Sequence, residues 1–224
     1  MPATLLPFLP ILAGVAAYLI GSLSFAVIVS RAMGLSDPRT YGSGNPGATN
    51  VLRSGSKAAA ILTLALDALK GWLPVALAAR FGPAHGLGEG TVALVALGAF
   101  LGHLYPVFFR FRGGKGVATA AGALFGIDLL LGGATLATWL IIAAFFRYSS
   151  LASVVAAVFA PFWWLLTEGA GPVAFALIAI ALLLVWRHEA NIKRLFAGKE
   201  SRLGRRAPEA AAPVARKGRR AARR

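Results

Sequence analysis

The residues able to do chemistry fall into three short clusters of an otherwise apolar chain. The first is Tyr41-Gly42-Ser43-Gly44-Asn45-Pro46-Gly47-Ala48-Thr49-Asn50, followed by Val51-Leu52-Arg53. Glycine lets the backbone turn sharply and approach a ligand closely, and Pro46 stops helix propagation. Ser43, Asn45, Thr49 and Asn50 add side-chain donors, and Arg53 adds a fixed fork of N–H groups. Exposed amides beside an arginine describe an anion cradle. The same residue types also build ordinary connecting loops. Taken alone, the stretch reads equally as connector or ligand site.

The second cluster is Arg110-Phe111-Arg112-Gly113-Gly114-Lys115-Gly116-Val117-Ala118-Thr119. A glycine turn leading into a helix N-terminus presents free N–H groups and the positive end of the dipole, which suits phosphate. Lys115 could reach the same ligand as a mobile point charge. A juxtamembrane basic loop explains the cations but not the glycines of Gly113, Gly114 and Gly116. The third cluster is Trp186-Arg187-His188-Glu189-Ala190-Asn191-Ile192-Lys193-Arg194-Leu195. If helical, it puts His188 and Asn191 on one face by i,i+3 spacing. On its own it reads more simply as an interfacial cap with snorkelling cations. Two motifs fail on context. Gly42, Gly44 and Gly47 satisfy G-x-G-x-x-G without a preceding strand, and Gly114-Lys115 lacks the Gly and Ser/Thr positions of a Walker A loop.

The elements that must position these clusters are set by composition. The chain of 224 residues is 58% hydrophobic and only 14% charged, with a mean hydropathy of +0.71. Soluble domains carry about a quarter charged residues, so this is an integral membrane protein. Cysteine is absent and only eight carboxylates exist, which excludes thiolate chemistry and argues against a multi-carboxylate metal site; no metal and no cofactor is expected. The net charge of +15 is concentrated, with 13 of 23 Lys and Arg residues between Arg187 and Arg224. Such basicity points to membrane lipid and orientation, not to nucleic acid.

Apolar stretches near 4–29, 58–79, 90–109, 151–167 and 171–187 approach the ~20 residues that cross hydrocarbon, and must be helical. The stretch 117–146 is too long for one span. Basic loops belong inside, which places the N-terminus outside and the loops of Arg53 and Lys115 in the cytoplasm. If 117–146 crossed once, the basic tail would fall outside. A short hairpin turning near Gly126, Asp128, Gly132 and Gly133 puts it inside. The expectation is an all-α polytopic protein of seven transmembrane helices, two of them short, N-out and C-in. Residues 1–204 form one membrane domain, and 205–224 form a basic, disordered cytoplasmic tail. All three clusters then share the cytoplasmic face.

Within the spans, Asp67 and Lys70 lie i,i+3 and read as an ion pair bracing the loops, since ionisable groups there face a bundle interior. A proton or ion path is the lesser reading. His103 and Asp128 read as structural, and Trp139, Trp163, Trp164, Phe145 and Phe146 as interface or lipid-facing aromatics.

Together, S-G-N-P-G-A-T-N-V-L-R, G-G-K-G-V-A-T and H-E-A-N-I-K-R-L resemble the bacterial acyl-phosphate:glycerol-3-phosphate acyltransferase family, known as PlsY. The runs L-D-A-L-K-G and G-H-L-Y-P-V are similar to it too, so the likeness covers about residues 14–204. It implies an inner-membrane enzyme with its active site facing the cytoplasm, at the first acylation step of phospholipid synthesis. That enzyme transfers a fatty acyl group from acyl phosphate to the 1-position of glycerol 3-phosphate. The products are 1-acyl-glycerol 3-phosphate (lysophosphatidic acid) and phosphate. By motif match it implies catalytic roles for Ser43, Arg53, Lys115, His188 and Asn191. Phosphate binding would fall to Gly42, Gly44, Asn45, Gly47, Thr49, Asn50, Gly113, Gly114 and Gly116. It also implies transient contact with a soluble acyl-phosphate-producing enzyme of PlsX type. Glu189 lies where the family pattern varies and is a poor candidate for an essential base.

The residues agree on their own terms. Both substrates carry phosphate, an acyl phosphate has a good leaving group, and the site needs mainly electrostatic stabilisation. The H-x-x-x-x-D motif of other glycerolipid acyltransferases is absent, because Gly90, Phe108 and Lys193 follow the three histidines at that spacing. Direct transfer is expected, with His188 or a substrate phosphate oxygen taking the hydroxyl proton, rather than an acyl-Ser43 intermediate. A secondary transporter of an anionic solute is the competing reading, but it predicts midplane ligand groups and an inverted repeat. A purely structural scaffold leaves both glycine loops without a reason.

Overall fold

The computed structural model describes residues 7–203, and the proposed tail at 205–224 lies outside them. Among the described residues ten α-helices follow in order: α1 (Leu9–Gly21), α2 (Phe25–Ala32), α3 (Ala48–Val51), α4 (Lys57–Phe81), α5 (Glu89–Leu104), α6 (Val117–Ile127), α7 (Leu129–Phe146), α8 (Ser149–Thr167), α9 (Pro172–Arg187) and α10 (Glu189–Phe196). No strand occurs among the described residues. Five segments among the described residues are long and apolar enough to cross a membrane, Leu9–Ala32, Lys57–Phe81, Glu89–Phe109, Leu129–Phe146 and Ser149–Thr167; α9 and α10, bent by 57° at His188, reach that length only if counted together.

Local chemistry sets the boundaries. Ser56 caps α4, its side chain accepting from the Ala59 N–H at 3.2 Å, and Pro172 opens α9, where its missing N–H costs nothing. The long stretch 117–146 does break, at Asp128. That residue leaves helical geometry and accepts the Leu131 N–H at 2.7 Å, capping α7. Of the two helices only α6, with 11 residues, is short; α7 has 18. The break between α1 and α2 frees the carbonyl of Leu23, which accepts from Lys70 Nζ at 2.6 Å.

Helices α1 and α5 pack together, as do α4 and α6, α7 and α8, and α8 and α9. In lipid, association relies on close backbone approach. A Cβ on Gly122 would stand 1.9 Å from the Ala68 carbonyl oxygen, and one on Gly102 2.2 Å from that of Tyr18. The core formed around Phe100, Leu104, Val95 and Val75 draws on α1, α4, α5, α6 and α9. Three aromatics depart from expectation, two of them Trp163 and Trp164, which are half-buried against the core of Leu124, Leu131 and Leu177. Trp139 is half-buried and donates to Ser153 Oγ at 3.1 Å, tying α7 to α8.

Inside the bundle, Asp67 and Lys70 form the expected ion pair at 2.8 Å, both nearly inaccessible to solvent. His103 on α5 and Thr119 on α6 complete a polar knot around it.

Candidate active site

The first loop is folded by its own asparagine. Asn50 Nδ2 donates to the carbonyls of Pro38 (2.7 Å) and Tyr41 (3.1 Å), while its Oδ1 accepts from the Ser43 N–H at 3.0 Å. Asn50 is 2% exposed, so its carboxamide is spent on the loop and has no donor left for a phosphate. Gly42 sits at φ +60, where an added Cβ would lie 2.3 Å from Asn50 Oδ1. The backbone N–H groups of Gly44 and Gly47 are also used inside the loop, by the carbonyls of Tyr41 and Asn45. The loop thus offers fewer amides than its glycine content suggests. Ser43 and Arg53 are exposed, with Asn45 half-buried between them and Thr49 exposed.

The second loop is glycine-rich because it passes close beneath other backbone. A Cβ on Gly113 would meet the His103 carbonyl oxygen at 2.1 Å, and one on Gly114 would meet His103 Nε2 at 2.3 Å and the Pro46 carbonyl oxygen at 3.0 Å. The Gly114 N–H donates to the His103 carbonyl at 3.2 Å. Packing therefore accounts for Gly113 and Gly114, and the Pro46 contact seats this loop against the first. Gly116, at φ +81, starts α6, whose first N–H groups have no carbonyl partner within the helix.

The third cluster joins both loops. Lys115 Nζ donates to Asn191 Oδ1. The Arg187 guanidinium donates to the carbonyls of Gly113 (2.9 Å) and Gly114 (3.0 and 3.1 Å). His188 terminates α9, and its Nδ1 lies 2.8 Å from the Leu184 carbonyl. A carbonyl can only accept, so Nδ1 carries the hydrogen and Nε2 the lone pair. His188 is 3% exposed. Burial pulls its pKa down to about 4 against the Leu184 bond, with the Lys115 charge adding to the fall, so the ring is neutral near pH 7. Burial likewise lowers Lys115 to about 8; Glu200 opposes this, while Arg194, Arg187 and Arg53 reinforce it.

Two features carry no signal in the sequence clusters. Glu200 accepts from Asn191 Nδ2 (2.6 Å), Ser150 Oγ (2.8 Å) and Arg194 Nε (2.7 Å). Burial raises its pKa, but these three bonds outweigh it and the group titrates below the ordinary range. Ser201 Oγ, next in the chain, accepts from Arg53 Nη2 at 3.1 Å. The segment after α10 thus ties the third cluster to the first. Glu189 is paired outward with Lys193 at 2.5 Å. A nine-spaced Glu beyond Asn191 in a basic run looks like a solvated charge, and nothing local distinguishes it.

All five residues singled out by type and spacing, Ser43, Arg53, Lys115, His188 and Asn191, therefore stand on loops and helix ends that touch one another. Among the described residues no three His, Asp or Glu side chains gather as a metal site would require. A cavity of about 510 Å³ between Glu89, Val92, Ile127 and Trp164 lies apart from the three clusters.

A bundle of apolar helices that gathers cations, an imidazole and glycine-built loops at one place defines a polytopic membrane protein with a basic cluster of polar residues. Residues 11–198 match the family model described as glycerol-3-phosphate acyltransferase. A glycerol-3-phosphate acyltransferase of Cupriavidus taiwanensis is 68% identical over 87% of this chain and 96% of its own length. One of Ralstonia nicotianae is 68% identical over 85% and 92%. The crystal structure of PlsY, an integral membrane glycerol 3-phosphate acyltransferase, in its glycerol 3-phosphate form superposes with a TM-score of 0.82 at 38% identity, over 87% of this chain and 96% of that one. Its lysophosphatidic acid form gives 0.80 at 37% identity, over 87% and 95%. The chain belongs to the glycerol-3-phosphate acyltransferase family, and the resemblance carried by its three motifs holds.

Proposed function

We propose that this acyltransferase uses a fatty acyl phosphate to acylate the 1-position of glycerol 3-phosphate, releasing 1-acyl-glycerol 3-phosphate and inorganic phosphate. The observation that carries the reading is the meeting of Lys115 with Asn191, one helical turn from His188, beside a loop that presents Ser43 and Arg53. The crystallised relative has glycerol 3-phosphate and lysophosphatidic acid forms, the acceptor and product of this reaction. Arg53 and Lys115 neutralise the two substrate phosphates, assisted by the amides of Gly42, Asn45 and Gly116 and the hydroxyl of Thr49. Gly44, Gly47, Asn50, Gly113 and Gly114 hold those groups in place. Ser43 donates a hydrogen bond and is not acylated.

The substrate hydroxyl oxygen attacks the acyl carbonyl carbon, and the bond from that carbon to the phosphate oxygen breaks. His188 Nε2 accepts a hydrogen bond from the attacking hydroxyl. The proton ends on a phosphate oxygen, because the second ionisation of a phosphate lies at about 6, above the value of about 4 for His188. Basic loops favour the cytoplasmic side, which supports a reading with this site on the inner face of the inner membrane, in one domain of residues 1–204 with seven helices, N-out and C-in. That side is where a soluble enzyme of PlsX type could deliver the acyl phosphate.

Purified protein incubated with palmitoyl phosphate and radiolabelled glycerol 3-phosphate should form labelled lysophosphatidic acid. Arg53→Ala or Lys115→Ala should abolish it at unchanged folded yield. Transfer from acyl-CoA alone would sink the donor assignment, and trapping of acyl-Ser43 by rapid quench would sink direct transfer.

A further inference from the structure

Beneath the second loop, the polar knot has one member whose position the acyl transfer has not yet explained. His103 ends α5 at 7% exposure, and it meets the Lys115 loop twice. Its carbonyl accepts the Gly114 N–H at 3.2 Å, and its Nε2 lies where a Gly114 side chain would begin. The other edge of the ring is fixed. Thr119 Oγ lies 3.0 Å from the Asp67 carbonyl oxygen and 3.1 Å from His103 Nδ1. A hydroxyl has one hydrogen, and a carbonyl can only accept, so that hydrogen goes to Asp67. The remaining contact must then be Nδ1–H donating to Thr119 Oγ. The Asp67 carboxylate, 3.7 Å from Nδ1, favours the same orientation and is itself held by Lys70. Lys70 in turn reaches the Leu23 carbonyl at the α1–α2 break. Three helices, α4, α5 and α6, therefore fix the plane of this imidazole, and Gly114 of the second loop lies against its free edge.

We infer that His103 is a positioning residue for acyl transfer: its clamped ring is the floor that sets the height and direction of the Gly113-Gly114-Lys115 turn. This rests on the role given to Lys115 above. It also gives Gly114 a reason beyond conformational freedom, because any side chain there would lift the loop off the ring. Arg187 also holds the same turn, through the carbonyls of Gly113 and Gly114. The turn is held by an imidazole and a guanidinium, and Lys115 leaves it at a fixed angle toward Asn191.

The test is His103→Asn in the full-length protein. The Asn amide N–H can still reach Thr119 Oγ, while the far edge of the ring under Gly114 is gone. With a floor removed, kcat/KM should fall on the order of 10- to 100-fold, as expected when a reacting group shifts by about 1 Å. Lys115 should also gain water. The charges around it (Glu200, Arg194, Arg187 and Arg53) are unaltered, so the alkaline limb of its pH profile should move upward from about 8. A histidine that only stabilises the core would lower the folded yield and leave that limb in place. Gly114→Ala approaches from the loop side and should lower kcat more in the wild-type background than in His103→Asn. It also carries the test if His103→Asn does not fold, again through a fall in kcat with an upward-moved limb. Unchanged kcat/KM and limb in whichever variant folds would overturn the inference alone. Full turnover in Lys115→Ala would overturn the reading of the site, and the inference with it.

Discussion

The charge on Lys115 should govern the alkaline limb of activity. Its ammonium is drawn into a partly desolvated place between Asn191 and the second loop, and its pKa falls from 10.5 to about 8. If only the charged form neutralises a substrate phosphate, the active fraction is about 0.9 at about pH 7 and about 0.1 at about pH 9. kcat/KM, which reports the free enzyme, should therefore drop roughly tenfold across that interval, whereas a lysine titrating at its usual value would lose only about 3%. The measurement is the initial rate of labelled lysophosphatidic acid formation from palmitoyl phosphate, with residual activity rechecked at about pH 7 after each incubation to exclude unfolding. Lys115→Arg separates charge from geometry. A guanidinium stays charged throughout, so the limb should vanish, while the rate falls because a planar fork does not reproduce a point contact on Asn191. A rate that is flat to about pH 9.5, or an identical limb in Lys115→Arg, would refute the reasoning.

Two other substitutions test the surroundings of the site. Glu200→Gln removes the negative charge that holds the Lys115 pKa up and sets an amide N–H against Arg194 Nε, so the alkaline limb should move below about 8; a limb that stays or rises would contradict the account. Asp67→Asn leaves the buried ammonium of Lys70 without its carboxylate, a loss of about 3–5 kcal/mol when one partner of a buried pair is removed. Thermal unfolding in detergent should show it, with much of the loss recovered in Asp67→Leu/Lys70→Met, and wild-type stability in the single variant would be the refuting result.

Much of this was legible in the sequence for identifiable reasons. Membrane segments announce themselves because lipid forbids unsatisfied backbone, and the ion pair of Asp67 and Lys70 stood out because charge inside a span is costly. The break at Asp128 could be inferred from length and charge balance, but not that α7 would keep full length beyond it. The glycine loops were conspicuous, yet composition cannot tell a glycine that frees an amide from one that lets two backbones touch. Gly113 and Gly114 are of the second kind, and Asn50 spends its side chain on the loop instead of on a ligand. Arg187 looked like an interfacial cation because its targets, two carbonyls some 73 residues away, leave no trace in local pattern. Glu200 and Ser201 were invisible for the same reason.

In the proposed reaction, the distribution of carboxylates explains why an imidazole and a phosphate would be left to handle the proton. Among the described residues Glu200 is the carboxylate that turns in toward Asn191, and both of its oxygens are occupied by Ser150, Asn191 and Arg194. Its three donors hold it ionised, so it can orient Asn191 but cannot act as an acid, and its lone pairs are directed at the protein. Glu189 faces outward to Lys193. A basic carboxylate placed among Arg53, Lys115, Arg187 and Arg194 would also compete with the substrates for those cations, since each phosphate brings its own negative charge. A neutral imidazole avoids that competition: it accepts a hydrogen bond from the attacking hydroxyl without pairing with any cation. Lys115, proposed to bind a substrate phosphate, also helps keep His188 neutral, so in this reading substrate recognition and the protonation state of the imidazole share one charge.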